Sequence, residues 1–205
     1  MKYIKIEEYQ QLQFQDKQEV INTLNSGGII VFPSDSVYSL GCLLGNQKGI
    51  DRILKITGKV EKKSNLSLFF TDLKSLSDYT LNYNNTIFRS VKNLTPGPFT
   101  FIFRASKIVT KMFENSKKEV GIRIPDHPIL SDILKELDQP IISTSLNTGE
   151  LKSSSNDPYE ISEQYKDSVD LVIDYGAAEG GVTTVLDCTG DDIELIRQGK
   201  GQLID

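Results

Sequence analysis

Apolar positions along the chain fall into short runs whose spacing alternates between two periods. Ile29, Ile30, Val31 and Phe32 form a continuous apolar run, the pattern of a buried strand. Similar runs recur at 66–70 (LSLFF), 99–103 (FTFIF), 120–124 (VGIRI) and 140–144 (PIIST), and DLVID, TTVLD and IELIR add three strand candidates near the end. Between these runs the spacing turns helical. Asp16 is placed to cap a helix through Val20, Ile21 and Leu24 that Gly27 and Gly28 terminate. Ile50, Ile53 and Leu54 line a second helix that stops at Gly58. A short helix is expected after Asp72, and another across 84–93. Asp157, Pro158 and Glu160 give the acid cap, proline and glutamate that start a helix reaching Tyr165.

Strands interspersed with helices, some joined by short hairpin-like links, predict an α/β fold: one domain over residues 1–205 on an open, mixed sheet. A chain of 205 residues is long enough to bury a real core. Only 151–157 (LKSSSND) reads as a flexible insert. No apolar stretch approaches the roughly 18–20 residues of a membrane span, and MKYIKIEEYQ lacks an apolar signal core, which points to the cytoplasm and to no membrane partner. Two cysteines, Cys42 and Cys188, without CxxC spacing, indicate neither a zinc site nor a disulfide framework. A formal charge of −5 argues against a general DNA coat while leaving room for a local basic cleft. Residues 55–63 (KITGKVEKK) supply such a run, which on composition alone also reads as a solvated face.

The chemistry gathers at strand ends. FPSDSVYSLG, residues 32–41, follows the first buried run and reads as a loop carrying Ser34, Asp35, Ser36 and Tyr38. A turn accounts for one or two of these side chains, whereas a ligand needing donors accounts for all. In VGIRI, Val120, Ile122 and Ile124 share one face, with Gly121 and Arg123 on the other. A glycine beside an arginine leaves room for a ligand, and a guanidinium fits a carboxylate or phosphate in a bidentate manner. A partly buried salt bridge to one of the many acids is the plainer reading of Arg123. Ser143, Thr144, Ser145 and Asn147 crowd the next strand end, Thr183 and Thr184 open another, and Arg197 closes IELIR. His127, in DHP at a helix start, has a capping or structural role. Phosphate-loop, GxGxxG and GxSxG signatures are missing. Together these features fit a site for an anionic, polar ligand.

The order of these pieces resembles the YrdC/YciO family of threonylcarbamoyl-adenylate synthases and their relatives, over about residues 17–201. GGIIVFPSDSVYSLGC is similar to the family's glycine pair, strand and TxTVYGLG loop, and LTPGPFTFIF to its PGPxT segment. VGIRIPDHP resembles its VxxRxPxHP, STSLN its P-S-A-N stretch, and GVTTVLDCTG with LIRQG its STVxD and RxG close. TPGPFTFI and ISTSLN point to the YciO branch. The resemblance implies an open, twisted sheet folded around a large basic cavity. It implies Ser34, Tyr38, Asn65, Arg123, Ser143 and Thr183 at a threonine substrate, with Arg123 on its carboxylate, and Ser145, Asn147 and Arg197 at the nucleotide. ATP with Mg²⁺, L-threonine and bicarbonate are the implied ligands. The family's KxR is replaced here by Thr57, Gly58 and Lys59, so Lys59, Lys62 and Lys63 are the implied catalytic cations. A lysine is a point charge rather than a planar fork. The alternatives are a YciO-type relative that binds or edits tRNA, removing a threonylcarbamoyl group, and a nucleotide- or RNA-binding module without turnover.

Overall fold

The computed structural model describes residues 1–7, 10–58, 66–112, 118–146 and 156–203. Eleven strands among them form one mixed, twisted sheet, and seven helices lie against it. The strands are β1 (Lys2–Lys5), β2 (Ile30–Phe32), β3 (Ser39–Leu43), β4 (Ser67–Phe69), β5 (Thr80–Leu81), β6 (Phe99–Ala105), β7 (Glu119–Arg123), β8 (Ile141–Ser145), β9 (Leu171–Asp174), β10 (Thr184–Asp187) and β11 (Glu194–Arg197). The order across the sheet is β1-β9-β2-β3-β8-β4-β7-β6-β10-β11, with β5 paired to β6. The helices are α1 (Phe14–Asn25), α2 (Gln47–Thr57), α3 (Leu76–Tyr79), α4 (Asn85–Asn93), α5 (Lys107–Met112), α6 (Pro128–Lys135) and α7 (Pro158–Tyr165).

Local chemistry sets most boundaries. After α1 the chain turns through Gly27 at φ 84°, with Gly27 N–H donating to Leu24 O and Gly28 N–H to Thr23 O. This paired closure needs a left-handed residue, and glycine adopts it without strain. Gly58, at φ 64°, ends α2 similarly. Asp16 does not cap α1: the helix begins at Phe14 behind Gln13, so Asp16 sits in the first turn, where its charge faces the positive helix end. Asp157 does cap α7, accepting from Tyr159 N–H. The FPSDSVYSLG stretch is loop only as far as Tyr38. From Ser39 the chain is the buried strand β3, antiparallel to both β2 and β8.

Each face of the sheet has its own core. On one face Val31, Leu40, Cys42, Leu68, Phe101 and Ile122 meet apolar side chains of α2, α3, α4, α5 and α7. On the other, Ile30, Phe32, Leu43, Phe69, Ile141, Leu171 and Ile173 meet Val20, Ile21 and Leu24 of α1 and Ile129, Leu130, Ile133 and Leu134 of α6. The second cluster covers only part of its face. No described helix is long and apolar enough to cross a membrane. The two cysteine thiols are free and buried, and burial pushes both up to about 12.

Candidate functional site

Beyond the side chains that meet α1 and α6, the same face continues as a row of small groups. Gly41 pairs with Ser143, Ser143 with Ser67, Ser67 with Gly121, and Gly121 with Ile102, across β3, β8, β4, β7 and β6. Because directly paired residues share a face, this row is continuous. Ser39 and Ser145 form the next pair toward the open ends of β3 and β8. Thr100 of β6 lies opposite Val185 of β10, whose antiparallel partner is Arg197. Ser67, Thr100, Ile102, Gly121, Ser145 and Val185 are half-buried, whereas Gly41, Ser39 and Ser143 are buried, so the row opens toward β4, β7, β6 and β10 and is closed along β3. Gly121 is small for a reason: a Cβ there would stand 2.7 Å from Ser67 Oγ.

Arg123 lies on this face and is drawn into the protein. Its guanidinium is 4.5 Å from the Phe69 ring centroid, and Phe69 meets Phe32 edge to face at 5.6 Å. Nη2 donates to Asp35 Oδ1 at 2.6 Å and to Ser36 Oγ at 3.1 Å. Asp35 Oδ2 accepts from Asp126 N–H at 2.9 Å, which ties the 33–38 loop to the turn between β7 and α6. The pair is 3% and 6% exposed, and Arg123 Nε is buried without a partner. Burial pulls the guanidinium pKa down and the Asp35 charge opposes that pull. The salt-bridge reading of Arg123 therefore describes its present contacts, and its acid is Asp35.

The loop is organised by its own hydroxyls. Ser34 Oγ donates to Val37 O at 2.8 Å and lies 3.1 Å from Ser36 Oγ. Tyr38 points inward: its hydroxyl donates to Gly176 O at 2.8 Å and accepts from Tyr175 N–H at 3.0 Å. Burial raises its pKa. Ser143 Oγ is bonded to Leu40 O at 3.0 Å, whereas the fully buried Ser39 Oγ has no partner. His127 holds the N-cap position of α6, yet its side chain makes no cap bond. Its ring meets Tyr175 at 5.1 Å with Nδ1 buried and unpartnered. Burial pushes the imidazole down to about 4, against the pull of Asp35 and Asp126.

At the far end, Arg197 and Thr183 come together. Arg197 Nη2 donates to Thr183 O at 2.9 Å and Nε to the same oxygen at 3.3 Å, while the Thr183 and Thr100 hydroxyls are 2.8 Å apart. Gly199 allows the close return of the chain, since a Cβ there would lie 2.3 Å from Val182 O. Sequence-predicted residues thus fall into two groups on one face, Ser34 with Arg123 and Thr183 with Arg197, with Ser143 and Ser145 on β8. Lys59, Lys62, Lys63, Asn65 and Asn147 lie outside the described residues, as does most of the 151–157 stretch. Sequence reasoning missed Ser67, Thr100 and Ser39 as floor groups; for Ser67 and Thr100 the signal was a polar residue between apolar neighbours in β4 and β6, and Ser39 was hidden in a polar stretch. A separate cavity of about 300 Å³, lined by Phe70, Asp72, Lys74, Leu134, Lys135 and Pro140 among others, lies between α3 and the end of α6. Its mixed charges select no ligand.

The family model of the Sua5, YciO and YrdC proteins, whose description reads telomere recombination, matches residues 22–199. The chain belongs to the Sua5/YciO/YrdC family. An uncharacterized protein of Haemophilus influenzae is 40% identical over 185 residues, covering 89% of this chain and 88% of that one. Escherichia coli YciO is 35% identical over 186 residues, covering 90% and 89%. Its crystal structure superposes with a TM-score of 0.87 over 98% of both chains, at 33% identity. A threonylcarbamoyl-AMP synthase of Psychromonas ingrahamii is 28% identical over 177 residues, covering 84% and 91%. The fold is shared with P. abyssi Sua5 in its complex with L-threonine, with a TM-score of 0.83 and 21% identity over 97% of this chain and 58% of that one. Members of the Sua5/YciO/YrdC family therefore include enzymes of threonylcarbamoyl-AMP synthesis, and the YciO-type relatives are the more similar in sequence.

Proposed function

We propose that this family member binds L-threonine and ATP on the uncovered half of the sheet face and joins them with bicarbonate into threonylcarbamoyl-AMP, for tRNA modification. The observation that carries the reading is the Gly41–Ser143–Ser67–Gly121 row, flanked by Arg123 and Arg197, in a family that includes such synthases. A floor of small groups leaves room for a ligand against the backbone, and hydroxyls offer donors and acceptors to it. Threonine's amine and bicarbonate condense to a carbamate with loss of water. A carbamate oxygen then attacks the α-phosphorus of ATP, the bond to the bridging oxygen breaks, and pyrophosphate leaves with the electron pair. The carbamate is already an anion, so catalysis is positioning and charge stabilisation.

In this reading Ser34, Asn65, Arg123, Ser143 and Thr183 border threonine, and Ser145, Asn147 and Arg197 border the adenylate. Lys59, Lys62 and Lys63 offset charge on the phosphates. Tyr38 supports the loop rather than touching substrate, because both functions of its hydroxyl are engaged by backbone. Mg²⁺ would arrive on the phosphates of ATP. Among the described residues no group of three His, Cys, Asp or Glu side chains is placed to hold an ion. The test is pyrophosphate release with ATP, Mg²⁺, bicarbonate and threonine, against the same mixture lacking threonine. Threonine-dependent release is expected. Silence from folded protein favours the second reading, a tRNA-acting or tRNA-editing relative, which the greater likeness to YciO supports; threonylcarbamoylated tRNA is then the substrate to supply.

A further inference from the structure

Arg123 is a cation whose own protein has already supplied an anion. Asp35 divides its carboxylate: Oδ1 takes Arg123 Nη2 at 2.6 Å, and Oδ2 takes the Asp126 N–H at 2.9 Å. Because the second oxygen is committed to the backbone, the usual two-toothed fork with the guanidinium does not form, and Nε is left buried and unpaired. Ser36 Oγ, at 3.1 Å, is the remaining contact on Nη2. Phe69 closes one face of the guanidinium plane at 4.5 Å. The arginine is held on one edge by a neighbouring loop and on one face by a ring, and its buried Nε has no acceptor.

We propose that Asp35 is a positioning residue. By clasping Arg123 Nη2 and the Asp126 amide together, it ties the 33–38 loop to the turn after β7 and fixes the guanidinium at the edge of the small-residue floor, where it meets a ligand carboxylate. This rests on the reading of the floor as an amino-acid site. It adds that recognition runs through a nearly neutral ion pair rather than through a bare guanidinium. A buried arginine without that counter-ion would swing toward the nearest other acceptor, since an unpaired buried charge is strongly unfavourable.

Wild type, Asp35→Asn and Asp35→Glu are compared first without ligand, by ¹⁵N NMR. The Arg123 Nε–H and Asp126 amide signals should shift and exchange about tenfold faster in Asp35→Asn, as expected for loss of a charge-assisted bond, and partly recover in Asp35→Glu. Calorimetry then reads L-threonine and ATP–Mg²⁺ separately. Threonine affinity should fall about tenfold in Asp35→Asn, with partial recovery in Asp35→Glu, while ATP affinity stays within about twofold. Should Asp35→Asn fail to fold, Ser36→Ala removes the other Nη2 contact and should move the same signals less. Unchanged Arg123 and Asp126 signals overturn the proposal, as does a loss of threonine and ATP affinity in equal measure. A wild type that binds ATP but no threonine overturns the amino-acid reading of the floor, and with it the ligand role given to Arg123. The NMR comparison still decides the clasp in that case.

Discussion

The two halves of one sheet face follow opposite rules. Where α1 and α6 lie on it, the strands present Ile30, Leu43, Ile141, Leu171 and Ile173, and helix and sheet side chains interdigitate. A few residues along the same strands, β3 changes from Leu43 to Gly41 and Ser39, and β8 from Ile141 to Ser143 and Ser145. The apolar half gains by excluding water. The small, hydroxyl-bearing half has no comparable gain, and its side chains suit a polar ligand. Phe69 and Arg123 stand at the border, the ring belonging to the apolar core and the buried guanidinium lying over it beside the small-residue row. Stability and binding are thus assigned to neighbouring stretches of the same strands, and substitutions should separate them.

The largest effect is expected at the border. Arg123→Ala leaves Asp35 buried without its cation, which should cost about 3–5 kcal/mol in denaturant unfolding and abolish turnover. An unchanged unfolding midpoint would break the assignment. Within the covered half, Leu130→Ala removes a fully buried side chain and should cost about 2–5 kcal/mol, with ligand affinity of the folded protein intact. Tyr38→Phe leaves the Tyr175 N–H and Gly176 O without their shared partner and should cost about 1–3 kcal/mol by the same measurement.

The pH response comes next. The His127 imidazole is pushed down to about 4 by burial, whereas in the unfolded chain it titrates near 6.5. Between those values the unfolded chain binds the extra proton, so stability falls as pH drops from about 6.5 toward 4. His127→Asn should flatten that part of the stability profile, read from unfolding midpoints across the range. The smallest stability effect belongs to the open half. Ser67→Leu should change unfolding by no more than about 1 kcal/mol yet eliminate threonine binding, because the half-buried floor position has room outward. A large loss of stability there would show that the floor is core after all.

Much of this arrangement was legible in the sequence, and the gaps have identifiable causes. The helix stops at Gly27 and Gly58, and the cap at Asp157, follow from local backbone chemistry and were readable directly. The strand β3 was not, because Ser39, Gly41 and Cys42 are short side chains that look like loop; their burial comes from β2 and β8 on either side. The strand β1 was hidden by the charges of KYIK at the sheet edge. Asp16 misled because the chain enters α1 three residues earlier, at Phe14 behind Gln13. Gly121 and Arg123 were correctly placed on one face of their strand. Asp35 was visible as part of a polar cluster, but nothing local links it to Arg123, 88 positions away. That contact exists only because the loop folds across the sheet.

The most direct test of the divided face is ¹⁵N chemical-shift mapping of the folded protein on addition of L-threonine and ATP–Mg²⁺. The account predicts perturbations at Ser67, Thr100, Gly121, Ser143 and Ser145, with Val20, Leu24, Leu130 and Ile133 unmoved. Perturbations centred on the α1 and α6 half, or on the cavity between α3 and the end of α6, would contradict it.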